Sequence, residues 1–377
     1  MKTKIKNFKN KQGGITLVAL VITIIILLIL ATISIQSLTN TGLFQKANEA
    51  KDKTKNATEN QAKTLNEYED ELNKYISETK EYKLADKVKV GDYVKYEPDT
   101  ASTDSILQEL ETYSGSDANT TSTLTQEKDL NWRVLDIQNG QVRLISELPT
   151  TSKITLSGAK GYNNAVYLLD KTCKTLYSKN GYSEKVQNLK IEDIQKYLTY
   201  DYTQYENQNV DTGKYGGVKE YTTNRYYPNL FAKEKTGWVN GEQGTELNLS
   251  EQTQPINETF TQASKNIKVT QTYWDKTIVL NDFNISKYYE LFINNKGNNQ
   301  TYWISSRCVI AGTNDAYFYV HRVYSGNIDA RRICDAYGNE SSDSYAYRPV
   351  VTLNSNVQID TTNTGDGSTA EQAYAIK

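Results

Sequence analysis

The chain has 377 residues, with 43 Lys and Arg against 45 Asp and Glu, one His and three Cys. That length builds one large or two ordinary domains, and the near-neutral charge gives no electrostatic footprint for nucleic acid, so no nucleic-acid partner is expected. Three cysteines (Cys173, Cys308, Cys334) with no CxxC or Cys/His cluster exclude a complete disulfide framework and a zinc or haem site, and a single histidine without a Ser/Asp setting excludes a hydrolase triad; no cofactor and no metal is expected.

Residues 1–14 carry five lysines and no acid, and an uninterrupted apolar run, Ile15 to Ile35, follows them. At 1.5 Å per residue the run is roughly 31 Å long, the thickness of a bilayer's hydrocarbon core, so residues 15–35 are expected to partner the membrane. The lysines set the leader on the cytoplasmic side and the rest of the chain outside. The junction Gly13-Gly14-Ile15-Thr16-Leu17-Val18 resembles the start of type IV pilins and pseudopilins, whose basic leader a prepilin peptidase cuts after a glycine. The resemblance implies processing between Gly14 and Ile15 and contact with other pilin subunits. Where that family carries a glutamate at the fifth mature position this chain has Ala19, which sets it apart from a major filament subunit.

From 36 to 80 a thin apolar stripe recurs at spacings of three and four: Leu43, Ala47, Ala50, Thr54, Ala57, Gln61, Leu65, Tyr68, Leu72 and Tyr75. Charged residues fill the gaps, which is the pattern of an amphipathic stalk helix or a solvated coiled-coil spacer. Continuous from Ile15 to Ile76, such a helix would be about 90 Å long.

The globular part opens near residue 85 and is expected to run to 377. Val88 to Tyr96 alternates as a strand with a turn at Gly91-Asp92. A Ser/Thr/Asp-rich segment, 99–128, is too poor in apolar residues to pack tightly and is expected to be a surface insertion. Trp132 to Ser146 gives a strong hairpin signal around Asn139-Gly140. Between Tyr162 and Leu198 the sequence is helical in parts, with Ala165, Leu168, Leu169, Cys173 and Leu176 on one face, which makes Cys173 a small buried hydrophobe. A strand over 266–273 and a short helix over 286–292 are expected further on, and the tail 360–366 reads as a turn before a last strand.

The forty residues 308–347 use a different alphabet. Lys, Glu, Gln, Met and Trp make up 84 of the 377 residues, so about nine are expected here; the stretch holds one, Glu340. Those five are the residues that codons ending in a pyrimidine cannot encode. Ordinary sequence brackets the stretch: Tyr302-Trp303-Ile304-Ser305-Ser306-Arg307 before it and Arg348-Pro349-Val350-Val351 after it. These flanks, with Gly-Asp-Tyr-Val at 91–94 and Trp-Arg-Val-Leu at 132–135, resemble a C-type-lectin-like domain of the formylglycine-generating-enzyme type. Joined to a codon-restricted stretch, that domain is similar to the variable target proteins of diversity-generating retroelements. The whole is therefore expected to be an α+β chain: a long N-terminal pilin-like helix, then a C-type-lectin-like domain over 85–377.

The resemblance implies no enzyme but a surface adhesin or receptor, with fixed strands presenting variable side chains to a variable protein or glycan ligand. The expected contact residues are Tyr317, Tyr319, His321, Arg322, Tyr324, Asp329, Arg331, Arg332, Asp335, Tyr337, Asp343, Tyr345 and Tyr347. Tyr and Arg supply stiff amphipathic contact area, and Asp adapts its hydrogen bonds. Phe318, Val320, Trp303 and Arg348 are expected to be framework. His321 beside Arg322 has no carboxylate or nucleophile at a telling spacing, which argues against a general base. Cys308 and Cys334 have three readings: a disulfide, a copper-binding pair as in the enzymes of the resembled fold, or chance members of the fifteen-letter set.

Overall fold

A computed structural model describes residues 17–36, 43–79, 82–116, 124–205, 225–230, 250–257, 260–263, 276–295, 297–311 and 316–377. The chain divides into two compact units, Met1–Ser77 and Glu78–Lys377. The first holds α1 (Leu17–Gln36) and most of α2 (Leu43–Thr79). The single helix expected from 15 to 76 is not what the described residues show: they hold two helices, and the residues between them lie outside the description. Among the described residues no helix is long and apolar enough to cross a membrane. Side chains of α1 are described only from Val18 to Leu30, about 20 Å of helix. Gly14 and Ile15, the expected processing site, also lie outside the described residues. On α2, Leu65, Tyr68 and Leu72 are exposed, as a stripe with no core beneath it requires.

The second unit is α+β. Its helices are α3 (Asp104–Tyr113), α4 (Gly158–Tyr177), α5 (Ile191–Gln195) and α6 (Ser286–Phe292). Its strands are β1 (Tyr93–Lys95), β2 (Trp132–Gln138), β3 (Gln141–Ser146), β4 (Lys153–Ser157), β5 (Ser183–Asn188), β6 (Arg225–Pro228), β7 (Phe260–Ala263), β8 (Asn294–Asn295), β9 (Asn298–Asn299), β10 (Tyr302–Ala311), β11 (Ala316–Tyr324), β12 (Asn327–Asp335), β13 (Ser342–Ala346), β14 (Pro349–Leu353) and β15 (Tyr374–Ala375). One sheet has the order β15-β1-β2-β3-β14-β5 and a second the order β12-β11-β10-β13-β4.

Core lies on both sides of the six-stranded sheet. Trp132 and Val134 point into a cluster with α4, Trp303, Phe318 and Val320, whereas Leu135 and Ile145 point into another with α5, α6, Ile304, Val323 and Ile328. Because both faces are covered, β2 is buried at five consecutive residues, Trp132 to Asp136, instead of alternating. The expected hairpin forms: Asn139 and Gly140 take φ of 51° and 77°, the left-handed pair that a two-residue turn between twisted strands requires.

One expectation is corrected. The Ser/Thr/Asp-rich insertion contains α3, whose Ile106 and Leu110 are fully buried; two apolar residues one turn apart suffice to dock a short helix. The two helical parts read between Tyr162 and Leu198 form, as α4 and α5, and β5, which pairs with β14, runs between them. The strand expected over 266–273 falls outside the described residues.

Candidate functional site

The codon-restricted stretch supplies the end of β10, the hairpin β11–β12, a turn at 335–339, and β13. Its framework is tightly held. Asn188, the last residue of β5, is fully buried; its Oδ1 accepts the Arg348 N–H at 2.6 Å and its Nδ2 donates to the Trp303 carbonyl at 2.9 Å. One side chain thus ties together the two flanks of the stretch. Arg348 is itself buried with no carboxylate against it. All five of its N–H donors are occupied: Nε and Nη2 by the Ser146 carbonyl (3.1 and 2.8 Å), Nη2 also by the Glu147 carbonyl (3.0 Å), and Nη1 by the Phe292 carbonyl and the Tyr302 hydroxyl (3.2 and 3.3 Å). Burial pushes the Arg348 guanidinium below its ordinary pKa, with the Tyr302 oxygen opposing. Trp303 is fully buried, donates to the Ile154 carbonyl at 2.8 Å and meets the Tyr345 ring edge-on at 4.6 Å.

Six of the thirteen expected contact residues converge in one network. Antiparallel register sets Arg322 opposite Asp329 and Tyr324 opposite Asn327. Arg322 forks onto Asp329, Nε to Oδ1 at 2.7 Å and Nη2 to Oδ2 at 3.3 Å, and its Nη1 donates to the Tyr345 hydroxyl at 2.5 Å. Tyr345 donates to Asp343 at 3.3 Å, and Arg331 Nε donates to the other Asp343 oxygen at 2.6 Å. The Arg322 guanidinium also lies 4.3 Å over the Tyr324 ring and 5.3 Å over that of Tyr345. Partial burial disfavours the charge on Arg322, but hydrogen bonds and attraction from Asp329 outweigh it and raise its pKa. The result is a belt running Asp329–Arg322–Tyr345–Asp343–Arg331 from the hairpin to β13, with Tyr324 and the outer edge of Arg331 turned to solvent.

The other seven are placed differently. Tyr317 and Tyr319 are half-buried and Arg332 is exposed, its guanidinium 5.6 Å over the Tyr317 ring. Tyr337 is exposed at the 335–339 turn. His321, Asp335 and Tyr347 are interior and leave the candidate surface. Tyr347 packs against Tyr177 in the core, and burial raises its hydroxyl pKa. Asp335 accepts the N–H groups of Tyr337 and Asn339 at 2.9 and 3.0 Å, so it builds the turn that presents Tyr337. His321 sits with Nδ1 3.2 Å from the Ser306 carbonyl, and burial lowers its pKa to about 4, a hydrogen bond to Ser306 opposing.

The one residue outside the fifteen-letter set has a structural task. Glu340 Oε1 accepts the Ala159 N–H at 3.0 Å, in the first turn of α4, where backbone donors have no helical partner. Gly158, with φ of 59°, makes room for it: a Cβ there would stand 2.3 Å from the carboxylate.

Register pairs Cys308 with Tyr319 and Cys334 with Phe318, with an irregularity in the β11–β12 pairing between those two residues, and all three cysteines are buried free thiols. Burial raises the Cys334 thiol well above its ordinary pKa, which suppresses the thiolate. Among the described residues no group of three or more His, Cys, Asp or Glu is placed to hold a metal ion.

Sequence reasoning did not find Asn188, because one asparagine between two segments read as helical carries no signal. It did single out Trp303 and Arg348 as framework, and both are fully buried. No known protein family, curated protein or solved structure matches this chain.

Proposed function

We propose that this chain is a surface-displayed adhesin or receptor, anchored by residues 15–35 in a membrane or a pilus, whose C-terminal face binds a variable protein or glycan ligand without catalysis. The observation that carries the reading is the convergence of Arg322, Tyr324, Asp329, Arg331, Asp343 and Tyr345, all from the codon-restricted stretch, on a framework fixed by Asn188, Trp303 and Arg348. Tyr and Arg at such a belt give rigid contact area, and Asp gives adaptable acceptors. The resemblance to a lectin-like, formylglycine-generating-type domain and to a pilin leader adds the display arrangement, with prepilin peptidase as the processing partner.

Sequencing the locus in sister isolates tests it. Substitutions should concentrate at outward positions of 308–347 and spare Glu340, Trp303, Arg348 and Asn188. Scatter spread evenly over 85–377 would end the proposal and leave a structural minor pilin as the reading to pursue.

A further inference from the structure

A cleft of about 940 Å³ lies along β5, between it, the second half of α4 and residues 251–254, and shares no residue with the variable belt. β5 is the last strand of its sheet. Its neighbour β14 takes the Leu189 N–H through the Arg348 carbonyl, whereas the Asn188 N–H turns the other way, to Asp170 Oδ1 at 3.1 Å. Antiparallel alternation therefore turns the N–H and C=O of Val186 outward as well. The Val186 side chain belongs to the core, so what Val186 contributes to the cleft is backbone. Among the described residues that stretch of edge is covered by no further strand.

The charges around this edge are uneven in their engagement. Of the cleft's four acids, Asp170 is paired with Lys190 at 3.0 Å, Asp99 accepts the Asn180 N–H at 2.8 Å, Glu184 accepts the Gln141 amide, and Glu251 is exposed; five lysines, Lys171, Lys174, Lys179, Lys185 and Lys190, line the same cleft. Lys174 and Lys185 are exposed, and neither has an ion-pair partner among the described residues. An open strand edge with unengaged cations beside it has the features of a β-addition site for an acidic extended segment.

We propose that this cleft is a second binding site, for an extended acidic peptide that adds a strand to β5 and sets its carboxylates on Lys174 and Lys185. It is made of residues outside 308–347, so its ligand would be the same in every isolate, whatever the variable belt recognises.

The test uses the full chain in detergent and an acetylated, fluorescent octapeptide of alternating Val and Glu, read by anisotropy. Saturable binding is expected, weakened about tenfold, which corresponds to roughly 1.4 kcal/mol, in Lys174→Glu/Lys185→Glu. These lysines are exposed, and an unchanged melting curve will show the double variant folded. Backbone N-methylation of the peptide on alternate residues should abolish binding, since strand addition needs its N–H groups. Oligogalacturonate, acidic without a peptide backbone, should bind far more weakly. No saturable binding, indifference to the lysine changes, or equal binding of oligogalacturonate overturns the proposal. Substitutions at Arg322 and Tyr324 should leave the peptide's affinity unchanged, so the fate of this site and that of the variable face are read separately.

Discussion

Asn188 and Arg348 are 160 residues apart, yet the Asn188 side chain accepts the Arg348 N–H at 2.6 Å while donating to the Trp303 carbonyl. The two flanks of the codon-restricted stretch are thereby pinned to the end of β5. Asn188→Ala leaves a buried N–H and a buried C=O without partners, each costing about 1–3 kcal/mol. Chemical denaturation should show a loss of roughly 2–5 kcal/mol by the same reasoning, and Asn188→Asp, which turns a carboxylate oxygen toward the Trp303 carbonyl and buries an unpaired charge, should cost at least as much at neutral pH.

Glu340, within the codon-restricted stretch, and Gly158 form a second long-range pair. Glu340→Ala removes an anion from the start of α4 and should lower stability by about 0.5–2 kcal/mol. Gly158→Ala should cost more than that, because the methyl group meets the carboxylate and the residue's φ of 59° disfavours any side chain. In the Glu340→Ala background the steric part of that penalty should shrink, which a double-mutant cycle by thermal unfolding will measure.

His321 makes the domain acid-sensitive. Folded, it takes up a proton only near pH 4; unfolded, it does so near 6.5. Across that window the unfolded chain binds the extra proton, so stability falls as the pH drops, and the contribution is fully lost below pH 4. At about 1.4 kcal/mol per unit the penalty amounts to roughly 3 kcal/mol. His321→Asn should flatten the denaturation midpoint against pH between 6.5 and 4 while leaving the higher-pH branch parallel to that of the parent protein.

The hairpin turn at Ser325-Gly326 is strained at its first position. Ser325 takes φ of 49° and Gly326 84°, the geometry that Asn139-Gly140 adopts at the β2–β3 turn. Asn tolerates this region better than Ser. Ser325→Asn should therefore stabilise the chain by about 0.5 kcal/mol, seen as a higher melting temperature with unchanged unfolding cooperativity.

Much of the local structure is legible from residue order alone. Asn139-Gly140 announces its turn, the spacing of Leu168, Leu169, Cys173 and Leu176 announces the buried face of α4, and the fifteen-letter stretch announces itself by composition. These signals are local because they depend on backbone preference or on one element's periodicity. What only tertiary structure decided is which residues of that stretch face out. His321, Asp335 and Tyr347 belong to the same alphabet as Arg322, Asp343 and Tyr345, yet they are interior. The difference comes from where α4, α5 and α6 cover the sheets, from the register that sets Arg322 against Asp329, and from the buried side chain of Asn188. None of these has a counterpart in neighbouring sequence, since each joins residues far apart in the chain. Composition thus marked the stretch, and packing chose the face.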